Sequence, residues 1–294
     1  MKKITYIQLG ATLFIPASHK HLNAVVNENR FEGLKSLVID FEDGLSLHAF
    51  DSAMSKIEGV LENINEYSPL VFLRARNEEH LEALLSLKGI TNIQGFVLAK
   101  FTLENADRYL ELLGNTDFVM MPSIEGSELF DTVKLRLLKE RLDTYKSQVL
   151  IVRFGLEDML RQLGMWRECG ESIFDFASTS SVLGNFIAIF KSEGFAISGG
   201  VYPCYKDDEG FTLDVKRDIK EGLFSKTIIH PRQIILAHNA YRVTKTEVQK
   251  AEAIVKRRGE AVFEHEETMA EVVTMLPFAK AILLRRDIYG RDKS

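Results

Sequence analysis

Eight short, continuously apolar runs separated by amphipathic stretches of helical spacing, all within about 235 residues, predict an α/β chain folded as a (β/α)8 TIM barrel. Three observations carry this expectation. The runs are apolar on both faces, which suits parallel strands covered on the outside by helices. Strand and helix signals alternate along the chain. No G-x-G-x-x-G follows the first run, so the open doubly wound sheet is the weaker architecture. The barrel domain is expected over residues 1–240 and a helical extension, a lid or an oligomer contact, over 241–294.

The first strand is ATLFIPA at 11–17, preceded by an apolar segment that Thr5 and Gln8 interrupt and that lacks a signal-peptide cleavage site. SLVIDFED at 36–43 is the second, and SAMSKIEGVLENINEY after it has apolar residues at i, i+3, i+4 and i+7. PLVFLRARN at 69–77, IQGFVLAKF at 93–101 and DFVMMPSIEG at 117–126 follow, with EEHLEALLSLKG and ADRYLELLGN as the helices between them. LFDTVKLRLLKERLDTYKS leads to QVLIVRFGLED at 148–158. Next comes an insert long enough for two helices, whose FASTSSVLGNF portion is rich in small residues. FAISGGVYP at 195–203 and KTIIHPRQI at 226–234 are the last two strands, and the roughly 60 residues beyond them are helical in pattern.

Composition narrows the function. With 46% hydrophobic residues, 27% charged residues and a net charge of −5, the chain has an ordinary globular make-up and no isolated basic block, which argues against nucleic-acid binding. No run approaches 18 apolar residues, so no membrane span is expected and the cytoplasm is the expected location. The two cysteines, Cys169 and Cys204, lack metal or redox spacing and are expected as unbonded buried residues of a reducing compartment. A small acid is the expected partner, and a homo-oligomer the expected assembly.

In such a barrel the chemistry sits where strands end. Asp40, Glu42 and Asp43 close the second strand, Arg74 and Arg76 the third, and Lys100 the fourth. Glu125 closes the fifth, Glu157 and Asp158 the sixth, and His230 the eighth. Glu125 and one of Glu157 or Asp158, about 5 Å apart on neighbouring strands, need a cation or a proton between them. Magnesium suits two carboxylates. The glycine before the acids, Gly155, turns backbone N–H groups toward an anion, and Arg74 or Arg76 offers a fork for a carboxylate or enolate. Against this stand plainer roles: Glu157 and Asp158 as first-turn charges of the next helix, Asp40, Glu42 and Asp43 as partners of the arginines, Lys100 as an ion-pair partner, and His230 as a rim residue.

The order of these segments resembles the citrate lyase beta-subunit group of the HpcH/HpaI aldolase family, with its malyl- and citramalyl-coenzyme A lyases. LFIPASHKHL is similar to that group's opening LFVPA/G strand, LVIDFEDGL to ILDLEDAV, VFLRAR to VVRVN and GFVLAKF to GIVLPKV. SIEG is similar to IET, RFGLEDM to FGAEDL and IIHPRQI to IHPSQI, so the matches run over residues 12–234. The resemblance implies a divergent lyase or aldolase that breaks a carbon–carbon bond beside a carbonyl in a small hydroxy- or keto-acid, free or as a coenzyme A thioester. It implies magnesium on Glu125 and Asp158, Arg74 on the substrate carboxylate or enolate, and the backbone of Gly155, Leu156 and Glu157 around the keto acid. Arg76, Lys100, Glu42 and Asp43 complete the substrate side. Departures fall on Gly10, Ala99 and the bulky Leu156, and the family's DGKMVD lid has only a faint counterpart in EHEETMAEV at 264–272. The alternative is a non-catalytic subunit that keeps the acid pocket within a larger assembly.

Overall fold

The computed structural model describes residues 4–43, 45, 50–257, 262–265 and 268–292, with the side chains of 263–270 outside the description. The chain divides into two compact units, Met1–Ile234 and Ile235–Ser294.

The first unit is the barrel. Its strands are β1 (Thr12–Pro16), β2 (Ser36–Asp40), β3 (Leu70–Ala75), β4 (Gly95–Leu98), β5 (Val119–Ile124), β6 (Arg153–Phe154) and β7 (Thr227–Ile228). They form one parallel sheet in the order β6-β5-β4-β3-β2-β1-β7. The segment expected as a strand at 195–203 closes the ring between β6 and β7 by single bridges, Val152 with Ile197 and Ser198 with Phe224. The Val152 N–H donates to Ala196 O at 2.8 Å, and the Gly199 N–H to Phe224 O at 3.1 Å. This segment is short as a ladder because Gly199 and Gly200 lie under side chains. A Cβ at Gly199 would strike the Asp218 carboxylate, and one at Gly200 would stand 3.0 Å from Leu156 Cδ2.

Helices α1 (Leu22–Asn27), α2 (Phe50–Glu62), α3 (Glu78–Leu85), α4 (Ala106–Leu113) and α5 (Thr132–Asp143) alternate with the strands. Their starts are encoded locally: Asn77 accepts from the His80 N–H at 2.9 Å and Asp131 from the Val133 N–H at 2.8 Å. After β6 come α6 (Leu156–Gln162), α7 (Ala177–Lys191) and α8 (Asp208–Lys220). Between α6 and α7 the insert is irregular rather than helical, turning at Gly164 and Gly170 with φ of 64° and 88°.

That loop corrects the reading of the cysteines. Cys169 is exposed and bonded to Cys204, with Cα atoms 5.7 Å apart and a sequence separation of 35. Closing a loop of that length is worth about 2–4 kcal/mol through the unfolded chain. Reductant, or Cys169→Ser, should therefore lower the melting temperature by several degrees. An unchanged melting curve in reductant would show that the bond contributes nothing to stability.

The second unit begins within α9 (Arg232–Ala240) and holds α10 (Lys245–Lys256) and α11 (Val272–Tyr289), packed through Ala251, Ile254, Val272 and Ala279. The extension is not wholly helical. An antiparallel ribbon, β8 (Val262–His265) and β9 (Thr268–Glu271), lies between α10 and α11, since apolar runs this short do not reveal their period. The side chains of the lid counterpart fall largely outside the described residues. Among the described residues no helix is long and apolar enough to cross a membrane.

Inside the barrel Val38, Phe72, Val97, Met121 and Ile151 form an apolar layer with Leu9, each at most 1% exposed. Two residues further along the strands the inward positions become Asp40, Arg74, Ser123 and Arg153, so the interior turns from apolar to polar within one pleat. That change of layer is the floor of the site.

Candidate active site

A cavity of about 450 Å³ opens over this floor, bounded by Phe14, Asp40, Arg74, Glu125, Arg153 and Asp158 among others. A larger one, about 620 Å³, lies at the opposite, N-terminal ends of the strands around Tyr6, Gln94 and Gln148. Convergent charge, not size, marks the first as the site.

Asp40 and Arg74 face each other in register on β2 and β3. Arg74 Nε donates to Asp40 Oδ1 at 2.7 Å and Nη2 to Oδ2 at 2.6 Å, while Nη1 stands 2.9 Å from Glu42 Oε2. Burial opposes the Arg74 charge, but the hydrogen bonds and charges of Asp40 and Glu42 raise its pKa above the usual arginine value. Lys100, on the rim with φ of 48°, places Nζ 2.5 Å from Glu42 Oε1 and 3.7 Å from Asp43. The acids of β2 thus hold the two cations in place, as their plainer reading expects. Burial raises the Glu42 pKa and Arg74 partly offsets it. Arg76 Nη2 donates to the backbone oxygens of Glu42 (3.0 Å) and Leu45. Arg76, Lys100 and Glu42 do not line the cavity, whereas Arg74 and Asp43 do.

Glu125 ends β5, is 6% exposed, and leaves Oε2 without a hydrogen-bond partner. Burial pushes its carboxyl up to about 7; the Ser123 hydrogen bond and the Arg74 charge oppose the shift, and the charges of Glu42 and Asp158 add to it. The role of Gly155 is steric: a Cβ there would stand 2.5 Å from Glu125 Cγ, so only glycine lets Glu125 cross at this height. The Gly155 N–H itself goes to Ile124 O at 3.0 Å. The backbone donors available to an anion are those of the first turn of α6, beginning at Leu156 and Glu157. Asp158, in that turn, has a 27% exposed side chain and pairs with Arg161 at 2.7 Å, while the Glu157 side chain faces solvent.

Glu125 and Asp158 fit a divalent cation. The buried orphan oxygen of Glu125 lacks a partner that a cation would supply, and Asp158 lines the same cavity. Among the described residues no group of three or more His, Cys, Asp or Glu side chains gathers as a metal cluster. Two carboxylates with water and substrate oxygens are a set that magnesium accepts and zinc sites seldom use.

Leu156 is buried at 3% and lies over Gly200, forming part of the cavity wall. Leu156→Ala should enlarge the cavity and cost about 2–5 kcal/mol. Urea unfolding measures the loss, and a loss below about 1 kcal/mol would contradict this packing. His230 is held on the rim, stacked on Tyr205 at 4.5 Å and accepting the Arg232 N–H at 3.1 Å on Nδ1. Sequence reasoning passed over Arg153 and Thr227, which share the floor. The signal was there: an arginine in the run VLIVRF has to point somewhere inside.

The sequence pattern of a family described as C-C bond lyase of the TIM-barrel fold matches residues 3–291. The citrate lyase beta subunit of Haemophilus influenzae is 26% identical over 274 residues, covering 90% of this chain and 88% of that one. The L-malyl-CoA/beta-methylmalyl-CoA lyase of Cereibacter sphaeroides is 26% identical over 95 residues, 30% of each chain. Among solved structures, CitE of Mycobacterium tuberculosis in complex with magnesium, acetoacetate and coenzyme A superposes with a TM-score of 0.67 at 19% identity. That match covers 96% of this chain and 99% of that one. A citrate lyase of Burkholderia xenovorans gives a TM-score of 0.72 at 15% identity, over 97% and 93% of the two chains.

Proposed function

Since the chain belongs to the carbon–carbon bond lyases of the TIM-barrel fold, we propose that it cleaves, or joins in reverse, a carbon–carbon bond beside a carbonyl. The substrate is a small hydroxy- or keto-acid, free or as a coenzyme A thioester, and Glu125 and Asp158 hold magnesium. The observation that carries this reading is the buried, unpartnered Glu125 oxygen in the cavity that Asp158 also lines. It is supported by the complexes that CitE of M. tuberculosis forms with magnesium and acetoacetate or oxaloacetate.

Bound magnesium would supply a Lewis acid for the negative charge that develops on the carbonyl oxygen. The chain's residues do the rest. Arg74, fixed by Asp40 and Glu42, keeps its orientation and its charge as substrate enters, so it pays little reorganisation when it meets the carboxylate or enolate. Glu42 and Lys100 keep Arg74 in register. The first-turn N–H groups of α6 face the acid, and Leu156 excludes water from that wall. With its pKa about 7, Glu125 can take up or give up a proton near neutral pH.

Incubating the protein with a panel of hydroxy- and keto-acids, with and without magnesium, and following products by proton NMR tests the reading. Magnesium-dependent cleavage of at least one acid is expected. Magnesium and acid binding without turnover of any acid or thioester would favour the non-catalytic subunit instead.

A further inference from the structure

Arg153 enters the barrel interior from β6, one pleat above Ile151, and is 3% exposed. Its Nη2 donates to the Thr227 hydroxyl at 2.6 Å, and Nη1 lies 3.8 Å from the Met121 sulfur. Its guanidinium carbon stands 5.0 Å from the Phe14 ring centre, and that of Arg74 stands 5.3 Å from the same centre. Among the described residues no carboxylate pairs with Arg153. The contrast with its neighbours is sharp: Arg74 has Asp40 and Glu42, and the equally buried Arg167 and Lys226 share Asp214.

A cation buried among neutral partners is unfavourable unless something answers its charge. Burial and the repulsion of Arg74 push its pKa down to about 10, with the Glu125 charge opposing the shift, which still leaves it charged at neutral pH. Two contacts, one of them to sulfur, use two of its five donors, and Arg153 lines the cavity. Thr227 fixes the fork from behind, accepting from Arg153 and donating to Gly199 O at 3.1 Å.

We propose that Arg153 is a substrate-binding residue that takes a second carboxylate of the acid, so that the substrate is a dicarboxylate whose far end rests on the cavity floor. One planar fork bearing one charge matches one carboxylate. A phosphate would carry more charge and acceptor capacity than this apolar corner of Phe14 and Met121 meets. Thr227 is a positioning residue, acting through Arg153. The inference rests on the metal-dependent acid site proposed above, and it determines which acids that site admits.

Oxaloacetate and 2-oxobutyrate differ by a carboxylate in place of a methyl group. Calorimetric titration of each, freshly dissolved, into the full chain with magnesium reads the preference directly. Wild type should favour oxaloacetate by about 10- to 100-fold. Arg153→Met should bind the two equally, with 2-oxobutyrate affinity unchanged and the melting temperature no lower, because an apolar side chain replaces a lone buried charge. Thr227→Val, which keeps the charge, should reduce the ratio without abolishing it and serves if Arg153→Met does not fold. A preference that survives in Arg153→Met, or in Thr227→Val at its full value, overturns the assignment, as does equal binding by wild type; all three leave the acid site standing. If wild type binds neither acid with magnesium, the proposed function falls and this inference falls with it.

Discussion

Arg74→Ala should destabilise the barrel by about 3–5 kcal/mol at pH 8, the range for stripping the partner from a buried ion pair. The reason lies in what remains: Asp40 and Glu42, 5% and 2% exposed and two residues apart at the end of β2, would both lose the guanidinium that pairs with them. The loss should shrink as pH falls, because burial already raises the Glu42 pKa and, without Arg74 to oppose it, that carboxyl takes up a proton more readily. Arg74→Lys should recover part of the stability and little of the acid binding, since an ammonium cannot reach both Asp40 oxygens and Glu42 at once. Urea unfolding of the variants at pH 8 and pH 5 gives the comparison. A loss below about 1 kcal/mol at pH 8 would mean that the acids of β2 do not depend on Arg74.

Glu125→Gln should abolish magnesium binding and magnesium-dependent turnover while making the metal-free protein more stable at high pH. The sign follows from the direction of the shift. A carboxyl raised from 4.5 to about 7 contributes stability that is complete below the lower value and is lost as pH rises through the higher one. The full rise corresponds to about 3 kcal/mol. Glutamine has the shape of the neutral acid and does not ionise, so the variant should hold its stability from about pH 5 to pH 7, the window in which wild type loses it. Melting curves from pH 5 to pH 9 in chelator test this, and a parallel loss in both proteins would place the titrating group elsewhere.

Much of the architecture was legible because a barrel repeats its signal. Most of the strands are short apolar runs closed by a titratable residue, and Asp40, Arg74 and Glu125 all stand at strand ends where that pattern puts them. The geometry between strands was less legible. Gly155 reads as a backbone that turns toward an anion, yet its need is to let the Glu125 side chain pass, a contact between β5 and β6 that no spacing within one strand records. Arg76 looks equivalent to Arg74 two residues earlier, but one pleat higher it meets the backbone oxygens of Glu42 and Leu45 rather than the cavity. The strand at 195–203 dwindles to bridges because Gly199 and Gly200 leave room for Asp218 and Leu156, residues from other elements. The disulfide was misread on similar grounds, since two cysteines 35 residues apart say nothing of a 5.7 Å Cα separation.

The central claim, that Glu125 with Asp158 forms the magnesium end of an acid site, is tested most directly by titrating magnesium into the wild-type protein in two buffers of different protonation enthalpy, at pH 6 and pH 8. The pKa of about 7 predicts release of nearly one proton per magnesium at pH 6 and almost none at pH 8, with tighter binding at the higher pH. Magnesium binding that shows the same affinity and no proton release at both values, or no magnesium binding at either, would contradict it.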